Sequence, residues 1–312
     1  MEEIRRHVLS DDDVSVAILS LGCVTQDWQV PVAGQRAPVV LGYRDPAAYL
    51  HNPCYLGAIV GRVANRISNA AFEFEGERFQ LDVNEPLHHL HGGAHGLHAR
   101  NWTLEADGAR AVQLQLTSPH GEGGYQGRLD LCVTITLEGH CLTYEIEARS
   151  DRPTPVNLAQ HSYYALGDAT VHIPAQHYTP TDDRMIPTGA RDPVAGHPFD
   201  FNISKPLSRG DLGGKGLDMN FILDGTQIEA RDRGLHLVME TDQPCLQLYT
   251  AQHLHQAAEP LAGQAHNPRS ALCLEPQGYP NAVNTPGFPL SLATPEQPYR
   301  QTLSVSICEE TP

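Results

Sequence analysis

Three short stretches of this 312-residue chain hold side chains that could move protons or grip an oxygen-rich ligand. In "ALCLEPQGYP", Glu275 follows an apolar run, with Leu272 and Leu274 on one strand face and Cys273 and Glu275 on the other. A carboxylate there either reaches water at the strand's end or sits in a partly buried pocket that tunes its proton affinity. In "PVNLAQHSYYALG", His161 lies between an apolar turn and two tyrosines. It reads as a core histidine with a satisfied hydrogen bond, or as a proton donor at neutral pH. In "GAIVGRVANRIS", Arg62 and Arg66 interrupt a Gly-rich apolar stretch. One suits a structural ion pair, and the other could fork onto a ligand's oxygens.

Histidines raise a metal question. "PLHHLHGGAHGLHARNW" holds five of the seventeen, and His89-x-His91 on an extended strand would put two imidazoles on one side, where they could share a metal ion. A second pair, His253 and His255, lies far downstream. A barrel site built on H-x-H also needs an acid a few residues on, yet position 95 is His and no acid lies between His91 and Glu105.

Other chemistries lack a motif. "GEGGYQG" has neither the spacing of a dinucleotide loop nor a helix behind it, and no G-x-S-x-G or H-E-x-x-H occurs. The 21 Lys and Arg against 37 Asp and Glu give a formal charge of −16, which argues against nucleic acid or an anionic membrane as partner. The opening "MEEIRRHVLSDDD" lacks the apolar core of a signal peptide, so a soluble, cytoplasmic protein is expected. Seven scattered cysteines without a C-x-x-C pair argue against a disulfide framework or a zinc knuckle.

The elements that must position these groups are strands. In "LDLCVTITLEGHCLTYEIEARS", period-2 apolar positions flank Gly139-His140, which predicts a hairpin pairing Leu137 with Leu142, Ile135 with Tyr144 and Val133 with Ile146. "VSVAILSLG", "AVQLQLTS", "LHLVMETD", "LQLYTAQ", "ALCLEP" and "TLSVSICEE" read as further strands, and no segment sustains a 3.6-residue apolar period. So many strands imply an all-β protein of two large sheets packed face to face, a single β-sandwich domain over 1–312. Residues 185–216 and 253–270 read as long surface connections, which in compact domains are more often functional than idle.

A resemblance now stands out. "GAIVGRVANRI", "LHGG", "NLAQHSYYAL", "IPTG", "PFDF", "GLDMNF", "LQLYTAQ" and "LEPQGYPNAVNTPGFP" occur in the order of the motifs of the aldose 1-epimerase (galactose mutarotase) family, from about residue 55 onward. The resemblance implies a galactose mutarotase-like supersandwich and a cofactor-free isomerase that interconverts the α and β anomers of a free hexose or pentose, as a monomer or homodimer. By the same resemblance Glu275 is the general base and His161 the general acid, both with pKa values near working pH. Arg66, His91 and Asp218 hold the sugar, with Asn65 and Gln247 as neighbours. No metal has a task, and His88, His89, His95 and His98 fall to loop surface or packing. Tyr164, Ala165, Leu217 and Met219 depart from the family pattern and bear on sugar preference. A hexose-phosphate epimerase would need clustered Arg or Lys, which this chain lacks. A non-catalytic carbohydrate-binding protein would have no reason to keep both Glu275 and His161.

Overall fold

The computed structural model describes residues 3–211 and 213–310; residues 1, 2, 212, 311 and 312 of the expected 1–312 unit lie outside that description. The hairpin forms as the alternation predicts. Leu129–Glu138 pairs with Cys141–Ser150 in the register Leu137 to Leu142, Ile135 to Tyr144 and Val133 to Ile146. Cys132 faces Glu147 and Cys141 faces Glu138, and all seven cysteines are free.

That hairpin is the middle of a nine-stranded antiparallel sheet. Its order is Thr103–Asp107, Ala111–Ser118, Leu129–Glu138, Cys141–Ser150, Tyr299–Glu309, Leu235–Thr241, Gln227–Asp232, Thr170–His172 and Lys205–Pro206. A four-stranded sheet runs from Arg6–Asp11 through Val14–Leu19 and Val24–Val32 to Gln35–Pro38. A five-stranded sheet has the order Asp192–Pro193, His177–Thr179, Asp218–Ile222, Cys245–Tyr249, Cys273–Gln277.

Alternation makes each sheet two-faced, and the apolar faces meet in one core. That core joins Val133, Ile135, Leu303 and Val305 of the large sheet to Leu9, Val16 and Ile18 of the four-stranded sheet and Phe221, Leu246, Leu248 and Leu274 of the five-stranded one. Each fully buried Leu, Ile or Phe contributes roughly 1.5–3 kcal/mol of transfer free energy, so this layer holds the sheets together. A buried Tyr144 hydroxyl bonded to Thr25 Oγ1 at 2.6 Å ties the large sheet to the four-stranded one.

Of the two long connections, 185–216 is more structured than its composition suggests. Asp192–Pro193 edges the five-stranded sheet, Lys205–Pro206 edges the nine-stranded one, and a single helical turn follows at Leu207–Gly210. The other, 253–270, holds no named strand and carries His253 and His255 to the mouth of a cavity.

Candidate active site

Three strands build the floor of that cavity. Register places Asn220, Gln247 and Glu275 side by side across Asp218–Ile222, Cys245–Tyr249 and Cys273–Gln277, with Asp218 opposite Tyr249. Period 2 then puts Asp218, Asn220, Gln247, Glu275 and Gln277 on one face, while Phe221, Leu246, Leu248 and Leu274 point into the core. Glu275 therefore does not end a strand in water. It is the middle residue of a five-residue strand and only 3% exposed.

A buried polar face must satisfy itself. Asn65 Nδ2 donates to Gln247 Oε1 at 3.2 Å, Gln247 Nε2 donates to Asp218 Oδ1 at 2.5 Å, and Gln277 Nε2 donates to Asn220 Oδ1 at 3.0 Å. This chain of amides fixes which way the Asp218 carboxylate turns.

Loops supply the remaining groups. His161 follows the short strand Ala159–Gln160 and is pinned by backbone bonds, its N–H to Ala58 O at 2.8 Å and its C=O from Gly57 N–H at 2.9 Å. Its ring lies between Tyr163 (centroids 5.2 Å, planes 21° apart) and Tyr55 (6.0 Å, 30°). Tyr163 is fixed in turn by its hydroxyl, which donates to Cys54 O at 3.0 Å. Between these rings His161 Nε2 stands 3.7 Å from Glu275 Oε1, too far for a hydrogen bond and near enough to serve the same substrate atom group.

His91 and Asn65 grip each other. His91 N–H donates to Asn65 O at 3.1 Å, and Asn65 N–H donates to His91 Nδ1 at 3.2 Å. Both residues take left-handed backbone, φ 52° and 61°. The turn explains "LHGG": a Cβ on Gly92, at φ +89°, would lie 1.7 Å from Gly61 O. It also breaks the expected H-x-H geometry, because strand alternation stops at Leu90. His89 turns the other way, with Nδ1 at 2.7 Å from Asp82 O and Nε2 at 2.7 Å from the Tyr125 hydroxyl, so it is a packing residue.

Arg62 and Arg66 divide otherwise than expected, since the ion pair falls to Arg66 and Arg62 makes none among the described residues. Arg62 is spent on Ser118 Oγ and the carbonyls of Ser118, Pro119, Gln126 and Gly127, at 2.9 Å each. Arg66 forks onto Glu85, Nε to Oε2 at 2.6 Å and Nη2 to Oε1 at 2.8 Å. Its Nη1 has no protein partner among the described residues.

All seven residues named from the sequence, Glu275, His161, Arg66, His91, Asp218, Asn65 and Gln247, line a single cavity of about 250 Å³ together with His253 and His255. That volume suits one small polar molecule. Two participants were not legible in the sequence: Tyr55, which walls His161, His91 and His98, and Glu85, which holds Arg66. Neither sits in a periodic pattern that could have flagged it. The four departures Tyr164, Ala165, Leu217 and Met219 are not in the cavity lining; Tyr164 and Leu217 belong to the core with Met219 packed against it, and Ala165 packs on a second apolar cluster around Tyr43, Tyr49 and Tyr163.

Burial sets the electrostatics. Glu275 is raised well above 4.5, first by desolvation and then by the nearby Asp218 carboxylate. His161 is lowered to about 4, first by desolvation, which outweighs a raising contribution from its own backbone. His91 is lowered well below 6.5 by the same cause. Asp218 is raised by desolvation, against an opposing pull from Arg66. Burial thus raises the proton affinity of Glu275 and lowers that of His161.

His91, His161 and Glu275 each bring a donor atom within 4.8 Å of the others, a spacing compatible with a metal ion. The hydrogen bond at His91 argues otherwise. Its Nδ1 lone pair accepts from a backbone N–H, so in the neutral ring Nε2 carries the hydrogen and offers a donor rather than a ligand.

Comparison with known proteins places the chain in a family. A family profile described as aldose 1-epimerase matches residues 5–306, well upstream of the motifs that begin near residue 55. A galactose mutarotase of Mus musculus is 38% identical, with 96% of this chain and 92% of that protein aligned. An aldose 1-epimerase of Escherichia coli (strain K12) is 31% identical over 88% of this chain and 86% of its own. The solved structure of an aldose epimerase homologue from C. elegans superposes with a TM-score of 0.94 at 24% identity, covering 99% of this chain and 100% of that one, which speaks to the fold. On the family match and these identities, the chain belongs to the aldose 1-epimerase family.

Proposed function

We propose that this isomerase interconverts the α and β anomers of a neutral free aldose, with Glu275 and His161 exchanging protons through the sugar. The observation that carries the reading is the 3.7 Å approach of His161 Nε2 to Glu275 Oε1 in the wall of a sugar-sized cavity. The anomeric carbon bears two oxygens, the hydroxyl and the ring oxygen, and two groups this close can each reach one of them.

Glu275 takes the proton from the anomeric hydroxyl while His161 gives one to the ring oxygen. The bond from the anomeric carbon to the ring oxygen breaks, its electron pair goes to that oxygen, and a carbonyl forms. The open chain turns about C1–C2. Closure from the other carbonyl face returns one proton to His161 and one from Glu275 to the new hydroxyl. Each transfer is typically worth on the order of 10² to 10⁴ in rate.

The electrostatics set what this cycle must overcome. Burial disfavours a Glu275 anion facing a His161 cation and favours a neutral carboxyl beside a neutral imidazole. The neutral arrangement is the one present while the sugar is open, and the charged pair that begins ring opening is the state that burial makes costly. His91 donates Nε2–H to the sugar, and Arg66 and Asp218 take further hydroxyls, with Asn65 and Gln247 holding the lining in place. No residue in this scheme needs a metal or a nicotinamide. The charge of −16 and the free cysteines support work on a neutral substrate in a reducing, cytoplasmic setting.

The relatives named galactose mutarotase make galactose the first sugar to test. Polarimetry on freshly dissolved α-galactose and α-glucose measures the reaction directly. The expected outcome is decay to the equilibrium rotation faster than the spontaneous rate, in proportion to enzyme and unaffected by EDTA. A rate equal to the buffer's for both sugars, with binding retained, would assign the protein to sugar binding alone.

A further inference from the structure

Among the described residues Arg66 is the only Lys or Arg lining the cavity. It does not face the cavity as a free cation. Glu85 holds two of its three guanidinium nitrogens in a bidentate pair, and the two side chains are only 15% and 25% exposed. The carboxylate is itself fixed, since Glu85 and His88 exchange backbone hydrogen bonds and neighbouring Asn84 bonds both backbone groups of Leu90 and the Tyr55 hydroxyl.

We propose that Glu85 is a specificity-determining residue that restricts this site to neutral sugars by neutralising Arg66 in place. The pair leaves Nη1 as a hydrogen-bond donor for a hydroxyl while cancelling the field that would draw in a carboxylate or phosphate. Asp218 feels both members of the pair, Arg66 lowering its proton affinity and Glu85 raising it, so the Glu85 charge reaches the cavity floor. With Asp218 and Glu275 as the other acids in the wall, an anionic sugar meets no uncompensated positive charge. A lone arginine at this place would be a forked anion site.

The inference rests on the mutarotase reading, and the experiment separates the two. Polarimetric kcat/KM is measured for α-galactose and α-galacturonate with the wild type, Glu85→Gln and Glu85→Asp. Glu85→Gln removes the charge and keeps the side-chain length. It is expected to shift the galacturonate-to-galactose ratio by about tenfold or more toward galacturonate, with the shift shrinking as salt is added. Glu85→Asp keeps the charge, so its ratio should stay that of the wild type even where the shorter side chain raises KM for both sugars. An unmoved ratio in Glu85→Gln overturns the proposal, and so does an equal shift in Glu85→Asp, which would mean geometry and not charge. Should Glu85→Gln fail to fold, inhibition of the wild type decides. Galacturonate is expected to compete at least about tenfold more weakly than galactose, and equal competition overturns the proposal. A wild type inactive on galactose would instead defeat the proposed function itself.

Discussion

The strands Asp218–Ile222, Cys245–Tyr249 and Cys273–Gln277 are buried on both faces, yet the faces do opposite things. One presents Phe221, Leu246, Leu248 and Leu274 to the core, where every atom removed from water favours folding. The other presents Asn220, Gln247, Glu275 and Gln277, each at most 6% exposed, where burial of polar groups costs stability unless every bond is made. Not every bond is made. Gln277 Oε1 and His161 Nδ1 lack partners among the described residues. The apolar face carries the fold, and the polar face is held in an unfavourable state by it, which is how a carboxyl and an imidazole keep shifted proton affinities.

Breaking the apolar side should produce the largest effect on folding. Phe221→Ala leaves a void in the core and is expected to cost about 3–5 kcal/mol in denaturant unfolding. The molecules that remain folded should keep their proton-transfer pair. A variant that unfolds no more easily than wild type would mean that this face is not what supports the site.

The polar face should give a smaller effect with a definite sign. His161 is held neutral by burial, with its midpoint lowered from 6.5 to about 4. Between those values the unfolded chain binds a proton that the folded chain refuses, so stability from this group is present above pH 6.5 and is lost as pH falls toward 4. The slope is about 1.4 kcal/mol per pH unit for one such group. Nitrogen-15 shifts of the ring at pH 5.5 should show a neutral imidazole in the empty enzyme, where a solvent-exposed histidine is mostly cationic. A cationic ring at that pH would sharpen the comparison the other way, showing that burial does not hold His161 neutral.

What could be read in advance follows from the same contrast. The Leu129–Glu138 hairpin and its register were legible because period-2 alternation and a two-residue turn are local signals. Glu275 was legible as a chemical candidate, but whether it met water or a cavity was not, since alternation marks which face a side chain is on and not what covers that face. The shared side expected of His89 and His91 failed for the converse reason. The alternation rule assumes extended backbone, and His91 leaves it at φ 52° to meet Asn65. Tyr55 and Glu85 were invisible because their roles arise from contacts with Arg66, His91 and His161 that no spacing along the chain encodes.

The central claim is that Glu275 and His161 act as one proton-exchanging unit, and kcat for Glu275→Gln, His161→Gln and the double variant, measured by polarimetry on folded protein, tests it most directly. Each single substitution should lower kcat by about 10² to 10⁴ with a far smaller change in KM, and the double variant should be little worse than the poorer single one, because a unit missing either member has already lost its cycle. Losses that multiply in the double variant, or a Glu275→Gln enzyme that keeps more than about a tenth of the wild-type kcat, would contradict the account and make Asp218 the first residue to examine as base.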